Sequence, residues 1–216
     1  MSNKPKGYYD NVRDDMLKYI PANVETVLEF GCGSGAFSAL VKDEFVTESW
    51  AVEIDQDSAQ TAAKKLDKVL CCDAFKAIDQ LPDDFFNCII FFDMLEHVVD
   101  PYSLLTAVKT KLTEKGVIVM SIPNVRYYRN LVNFTIHGNW DYKDHGILDK
   151  THLRFFTRNS LVKIFKELDF EIIQIEGIHP TSSRTFKLLN LLFLNFFSDV
   201  RHKHFAIVAK PNNSST

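Results

Sequence analysis

The sequence predicts a doubly wound α/β domain, and three observations point there. Short apolar runs alternate with helical stretches from residue 10 to residue 122, the pattern of βαβ units in a parallel sheet. The runs 26–30 (TVLEF), 86–92 (FNCIIFF) and 117–122 (VIVMSI) lack the polar alternation of a half-exposed strand, as befits strands covered on both faces. A glycine-rich turn, Gly31-Cys-Gly-Ser-Gly35, stands between the first run and the helix after it.

Each element follows from its residues. Residues 10–20 place Val12, Met16, Tyr19 and Ile20 at helical spacing and stop before Pro21. Strand 26–30 leads through the glycine turn into a helix that runs to about Val41. The unit repeats as strand 49–54 with helix 58–66, and strand 69–72 with helix 74–80. Strand 86–92 precedes a helix over 101–112, which opens on Pro101 and stops before Lys115-Gly116. Strand 117–122 follows, and right-handed crossovers join these parallel strands. Residues 123–158 break the pattern. They are polar and aromatic and too long for a simple connection, so they read as a lid-like insertion after strand five. A helix at 159–168, a strand at 170–176, an apolar helix at 185–197 and a last strand at 204–209 complete one domain over 1–210. The tail 211–216 (PNNSST) reads as disordered.

Composition bounds what such a domain does. The chain has 216 residues, 46% hydrophobic and 25% charged, an ordinary globular balance. Net charge is −3 and no long basic run stands out, which argues against a nucleic-acid partner. The start lacks the apolar core of a secretory signal. The longest apolar stretch, near 188–197, is broken by Asn190 and Asn195 and falls short of the ~20 residues that cross a bilayer. The expected location is the cytoplasm, with no transmembrane segment. Segment 186–197 is too apolar for a solvated helix and is expected to pack on the sheet; the alternatives are a cover for the acceptor pocket and a homodimer or membrane-surface contact. Cys32, Cys71, Cys72 and Cys88 form no C-x-x-C, and no histidine pair completes a zinc site, so free thiols are expected.

The glycine turn is where chemistry is expected. Glycines let the backbone turn tightly and meet a ligand without Cβ atoms in the way, and the helix N-terminus behind them offers free N–H groups. Gly31, Gly33 and Ala36 also satisfy the dinucleotide pattern G-x-G-x-x-G/A. Glu53, about 20 residues on and ending the second strand, can accept both ribose hydroxyls under either reading. Three features separate the readings. An ionised Glu29, two residues before Gly31, is costly beside a pyrophosphate and favourable near a sulfonium or amino group. Asp73, in Cys72-Asp-Ala74 at the end of the third strand, can accept from an adenine amino group. Phe91-Phe-Asp-Met-Leu-Glu-His97 ends the fourth.

Taken in order, VLEFGCGSG, AVEID, CCDAF, FFDMLEHV and SIPN, spread over residues 24–123, resemble the class I S-adenosylmethionine-dependent methyltransferases. The resemblance implies a Rossmann-like, seven-stranded, mostly parallel sheet with its last strand antiparallel, and S-adenosylmethionine as cofactor. It implies that Gly31, Gly33 and Gly35 pass along the methionine portion. Glu53 would hold the ribose and Asp73 the adenine, with Ile54 and Ala74 flanking the base. Asp93 would lie where cofactor and acceptor meet. A narrower resemblance rests on PNVRY (123–127), GNW (138–140), DHGILD (144–149) and THLRFFT (151–157). It is to bacterial methyltransferases found with surface-polysaccharide enzymes, and to methionine-biosynthesis-associated methyltransferase-like proteins. It implies a small-molecule acceptor such as a sugar or sugar conjugate.

Methyl transfer is an in-line displacement at the sulfonium carbon, so placement does much of the work. A hydroxyl acceptor also needs a base, because its pKa lies far above seven. His145 and His152, interleaved with Asp144 and Asp149 after strand five, are the candidate catalytic bases. His97 reads as a structural residue of the turn after strand four. Arg154 suits an acidic or phosphorylated acceptor. Tyr8, Tyr9 and Arg13 are placed to fold over the cofactor, with Arg13 on its carboxylate. The spacing D-H-x6-H matches no ligand motif, and no metal is expected. The expected activity is O-methylation of a sugar or small hydroxylated metabolite. The alternatives are N-methylation of an amino sugar or small amine, and a non-catalytic, cofactor-binding regulatory partner of a biosynthetic enzyme.

Overall fold

In the computed structural model, which describes residues 13–45, 48–183, 186, 190–191 and 198–212, the apolar runs assemble into one seven-stranded sheet. β1 (Thr26–Phe30) lies inside it, because Val27, Leu28 and Phe30 have no polar atom to keep wet and are fully buried. β2 (Glu48–Glu53) and β4 (Phe86–Phe92) pair with its two edges in parallel. β3 (Lys68–Cys71) extends the sheet beyond β2, and β5 (Leu112–Pro123) extends it beyond β4. β7 (His202–Pro211) runs antiparallel to β5 and carries β6 (Phe170–Pro180) on its far edge. The order β3-β2-β1-β4-β5-β7-β6 is the expected sheet, with its last strand reversed.

Alternate strand residues feed the two faces. Leu28, Phe30, Ile89, Phe91, Ile118 and Met120 share one core, in which Phe30 and Phe91 stack at 5.0 Å. Val27, Cys88, Ile90, Val117 and Val119 share the other with Phe37 and Val41 of α1 (Ala36–Glu44). α2 (Gln56–Ala62), α3 (Ala74–Ile78) and α4 (Pro101–Ala107) start where Asp55, Asp73 and Asp100 accept a backbone N–H of the first turn. α6 (Arg158–Glu167) starts on a reciprocal Thr157–Ser160 capping box.

The structure differs from the sequence reading at several places, among them β6, which runs on to Pro180, and β7, which takes in Pro211 of the expected tail. The opening helix is a 3-10 turn at Asp14–Tyr19, and residues 10–12, with Tyr8 and Tyr9, lie outside the described residues. The helix from Pro101 tightens to a 3-10 turn at Val108–Lys111. β5 starts at Leu112, five residues earlier than expected. Thr113-Glu-Lys115 reads as a loop, but a register shift between Phe86 and Cys88 of β4 absorbs it. Gly116 makes that possible, since a Cβ there would stand 2.8 Å from the Phe86 carbonyl oxygen. Residues 123–158 hold a helix of their own, α5 (Tyr128–Thr135).

Most of 185–197 and all of 213–216 lie outside the described residues, and with them the expected apolar helix, the homodimer contact and most of the tail. Among the described residues no helix is long and apolar enough to cross a membrane. All four cysteines are free thiols, as expected.

Candidate functional site

The ends of β1, β2, β3 and β4 lead into the residues that the sequence singles out. Gly31, Gly33 and Gly35 all hold positive φ, at 73°, 55° and 72°. Glycine adopts this region without penalty. Packing demands it as well: a Cβ on Gly31 would stand 3.0 Å from Met94 Cγ, and one on Gly35 would stand 2.9 Å from Ala62 Cβ. The turn is therefore bare backbone by necessity, fastened by the Gly31 N–H donating to the Val52 carbonyl at 2.8 Å.

Glu53 joins the end of β2 to this turn. Its buried carboxylate accepts the Gly33 N–H at 2.8 Å and the Asp55 N–H at 2.9 Å, one on each oxygen. Burial raises its pKa while these backbone donors pull it down. A carboxylate has about four lone-pair sites, so each oxygen keeps capacity for a further donor. Ile54 beside it is 72% exposed, a bare apolar flank. Asp73 is exposed and accepts the Phe75 N–H at 2.9 Å as the cap of α3, and Ala74 is buried behind it.

Glu29 lies behind the turn, buried in β1, where the Ser38 hydroxyl of α1 donates to it at 2.5 Å. Burial pushes its pKa up to about 7, against that hydrogen bond and with the nearby Glu53 charge adding to the rise. A cation brought to this carboxylate would reverse the penalty.

Asp93 ends β4 in the left-handed region, φ 47°, and gathers residues from four parts of the chain. The Arg13 guanidinium donates to Oδ2 at 2.5 Å and the Ser121 hydroxyl of β5 to Oδ1 at 3.0 Å. His204 Nε2 lies 3.7 Å from Oδ1. His204 meets His179 through their Nδ1 atoms at 3.3 Å, and His179 Nε2 reaches Asp15 at 3.1 Å. Burial holds the His204 pKa below the usual imidazole value despite Asp93. Arg13 was expected on a cofactor carboxylate. It sits between Asp93 and Asp15, while its Nη2, buried, has no partner among the described residues. Sequence reading missed His179 and His204, which carry no motif, and the role of Ser121, which opens SIPN; the three meet only through the fold.

The two candidate histidines of the insertion part company. His145 is exposed. His152 is buried, with Nδ1 3.0 Å from the Ile147 carbonyl and Nε2 3.9 Å from Glu96. His97 does hold its turn, with Nδ1 3.2 Å from the Thr151 carbonyl. Arg154 donates to the Val99 and Leu153 carbonyls at 2.6 and 3.0 Å.

A family model described as a methyltransferase domain matches residues 5–175. No curated protein matches the chain. Solved structures do. A SAM-dependent methyltransferase from Archaeoglobus fulgidus aligns with a TM-score of 0.71 and 24% identity, over 95% of this chain and 97% of that one. An S-adenosylmethionine-dependent methyltransferase from Mesorhizobium loti aligns at 0.62 and 18% identity, over 93% and 99%. A SAM-dependent methyltransferase from Thermotoga maritima, described as a possible histamine N-methyltransferase, aligns at 0.61 and 18% identity, over 91% and 86%. At these identities the structural likenesses speak for the fold. The family match covers more than three quarters of the sequence, and the chain belongs to this family of methyltransferase domains.

Proposed function

We propose that this methyltransferase transfers the methyl group of S-adenosylmethionine to a hydroxyl of a sugar or another small hydroxylated metabolite. The residues present fit that cofactor. Bound here, it supplies an electrophilic methyl carbon on a sulfonium. The glycine turn presents backbone where a Cβ has no room, and Glu53 offers two half-used oxygens to a ribose diol. Asp73, Ile54 and Ala74 serve the adenine. Glu29 awaits a positive charge, and the buried Arg13 Nη2 offers a donor to a carboxylate. Asp93 marks the junction with the acceptor.

The observation that carries the choice of oxygen is the His204 imidazole placed with Nε2 3.7 Å from Asp93 Oδ1. A neutral amine attacks without losing a proton first, whereas a hydroxyl needs one removed. His204 can take that proton, with His179 and Asp15 behind it. His145 and His152 are the insertion's own candidates for the same task. In the insertion, assigned here as a cover for the acceptor side, Trp140 packs edge-on against Phe134 and Phe155 at 5.8 and 5.6 Å, with Phe134 58% exposed. Solvent-facing aromatic rings of this kind suit the apolar face of a sugar. The narrower resemblance to polysaccharide-associated methyltransferases supports the same class.

The test is a transfer assay with methyl-labelled S-adenosylmethionine against glycosides, nucleotide sugars, small alcohols and amines, with products located by mass spectrometry. Methyl on oxygen is expected, with turnover about 100-fold lower in His204→Ala and cofactor affinity unchanged. Methyl on nitrogen, or cofactor binding without transfer to any acceptor, would overturn the proposal.

A further inference from the structure

Glu96 poses an electrostatic problem that methyl transfer does not use. Its side chain is 1% exposed, and neither carboxylate oxygen accepts a hydrogen bond among the described residues. A buried, unanswered carboxylate is among the least favourable arrangements in a folded protein. Burial drives its proton affinity up, the neighbouring Asp93 and Asp149 push the same way, and Arg13 opposes them.

Two imidazoles close around it. His152 Nε2 lies 3.9 Å from Glu96 Oε1, and the His97 and His152 rings meet edge-on at 4.7 Å. One ligating atom from each of Glu96, His97 and His152 lies within 4.8 Å of the other two. The Nδ1 atoms of both rings face backbone carbonyls, Ile147 for His152 and Thr151 for His97. A carbonyl only accepts, and the Thr151 hydroxyl 3.1 Å from His97 Nδ1 donates to Asp149, so each Nδ1 carries a ring proton and Nε2 is the ligating nitrogen.

We propose that Glu96, His97 and His152 bind a divalent transition-metal ion of the zinc class, through a Glu96 oxygen and the two Nε2 atoms. Two imidazoles and one carboxylate favour such an ion over magnesium or calcium, which take oxygen ligands throughout. Three protein ligands leave one position open to water or an acceptor oxygen. With metal–ligand bonds of about 2.1 Å, tetrahedral ligands stand about 3.4 Å apart, so the His152–Glu96 gap must close by about half an ångström. The outer shell already exists. Backbone carbonyls orient both histidines, and the Leu153 and Arg154 N–H groups donate to the Glu96 carbonyl at 2.8 and 3.1 Å. The ion would pin the 143–157 loop to the turn after β4. This revises the expectation of no metal, which asked whether His152 pairs with nearby His145. The fold gives it partners 55 and 56 positions away instead.

The test uses the metal-stripped full-length chain titrated with Zn²⁺, and with Co²⁺ as a spectroscopic substitute, beside Glu96→Gln and His152→Ala. One equivalent should bind, with a cobalt spectrum of nitrogen and oxygen ligands. Either substitution should weaken binding at least tenfold, while metal-free Glu96→Gln melts no lower than the parent because it replaces a buried carboxyl whose oxygens accept no hydrogen bond among the described residues. Failure of the parent chain to bind, a thiolate-to-cobalt band from Cys71 and Cys72, or parental affinity in Glu96→Gln would each overturn the site. None of these readouts depends on methyl transfer.

Discussion

Glu29 allows the burial argument to be tested by pH. Its carboxyl is buried in β1 with one hydroxyl donor, and its pKa rises from an ordinary 4.5 to about 7. Between those values the folded protein holds a proton that the unfolded chain has released. The stability from that proton is fully present below pH 4.5 and is lost as pH rises through 7. At about 1.36 kcal/mol per pH unit, the interval from 4.5 to about 7 amounts to about 3 kcal/mol by pH 8. Glu29→Gln keeps the shape and an acceptor for Ser38 but cannot titrate. Urea unfolding of both proteins from pH 4.5 to 8 gives the comparison. Glu53 and Glu96 are also raised by burial, so both proteins lose stability with rising pH, and the difference between the curves isolates Glu29. The parent's advantage over the variant should shrink by about 3 kcal/mol across the range. Parallel curves would refute the claim that this carboxyl is protonated in the folded cofactor-free protein.

Gly35→Ala meets both a left-handed backbone and Ala62 Cβ at 2.9 Å, and should lower stability by about 3 kcal/mol in chemical unfolding. Gly138→Ala, at φ 68° with nothing within 4 Å, should cost only about 1 kcal/mol, so equal losses would show that packing at Gly35 is irrelevant. Glu53→Ala removes the acceptor for a ribose diol and should weaken S-adenosylmethionine binding by about 100-fold in calorimetry, whereas undiminished affinity would detach Glu53 from the cofactor.

How far the sequence could be read follows from how local each signal is. β1 and β4 were legible to the residue because apolar runs bounded by polar or charged residues leave no other register. The start of β5 was not, because a bulge lets Thr113-Glu-Lys115 stay in a strand that their polarity disguises. α5 was missed because it is only eight residues long and buries none of them, so tertiary packing gives its short apolar spacing no anchor. The glycine turn and Glu53 were legible as partners, 20 residues apart across one βαβ unit. The partners of Asp93 were not. Arg13 lies 80 positions before it and His204 111 after, and neither spacing carries information until the sheet is assembled. His152 drew notice for its neighbours in sequence, while its neighbours in space come from the end of β4.

The three buried glutamates differ in what answers each charge, and that difference maps onto what each is there to meet. Glu53 is held by two backbone N–H groups with lone pairs to spare, the arrangement of an acceptor prepared for neutral hydroxyl donors. Glu29 has a single hydroxyl and rests near the point of half-protonation at neutral pH, so a small positive field suffices to ionise it. Glu96 has no side-chain hydrogen-bond partner among the described residues and lies beside two imidazoles, a setting that a proton or a metal ion would answer. A sheet that had only to fold would be at least as stable with apolar residues at these positions. Holding three carboxylates at one end of it, with the half-buried Arg13 as the cation near them, sacrifices stability for a standing demand for hydroxyl donors and positive charge.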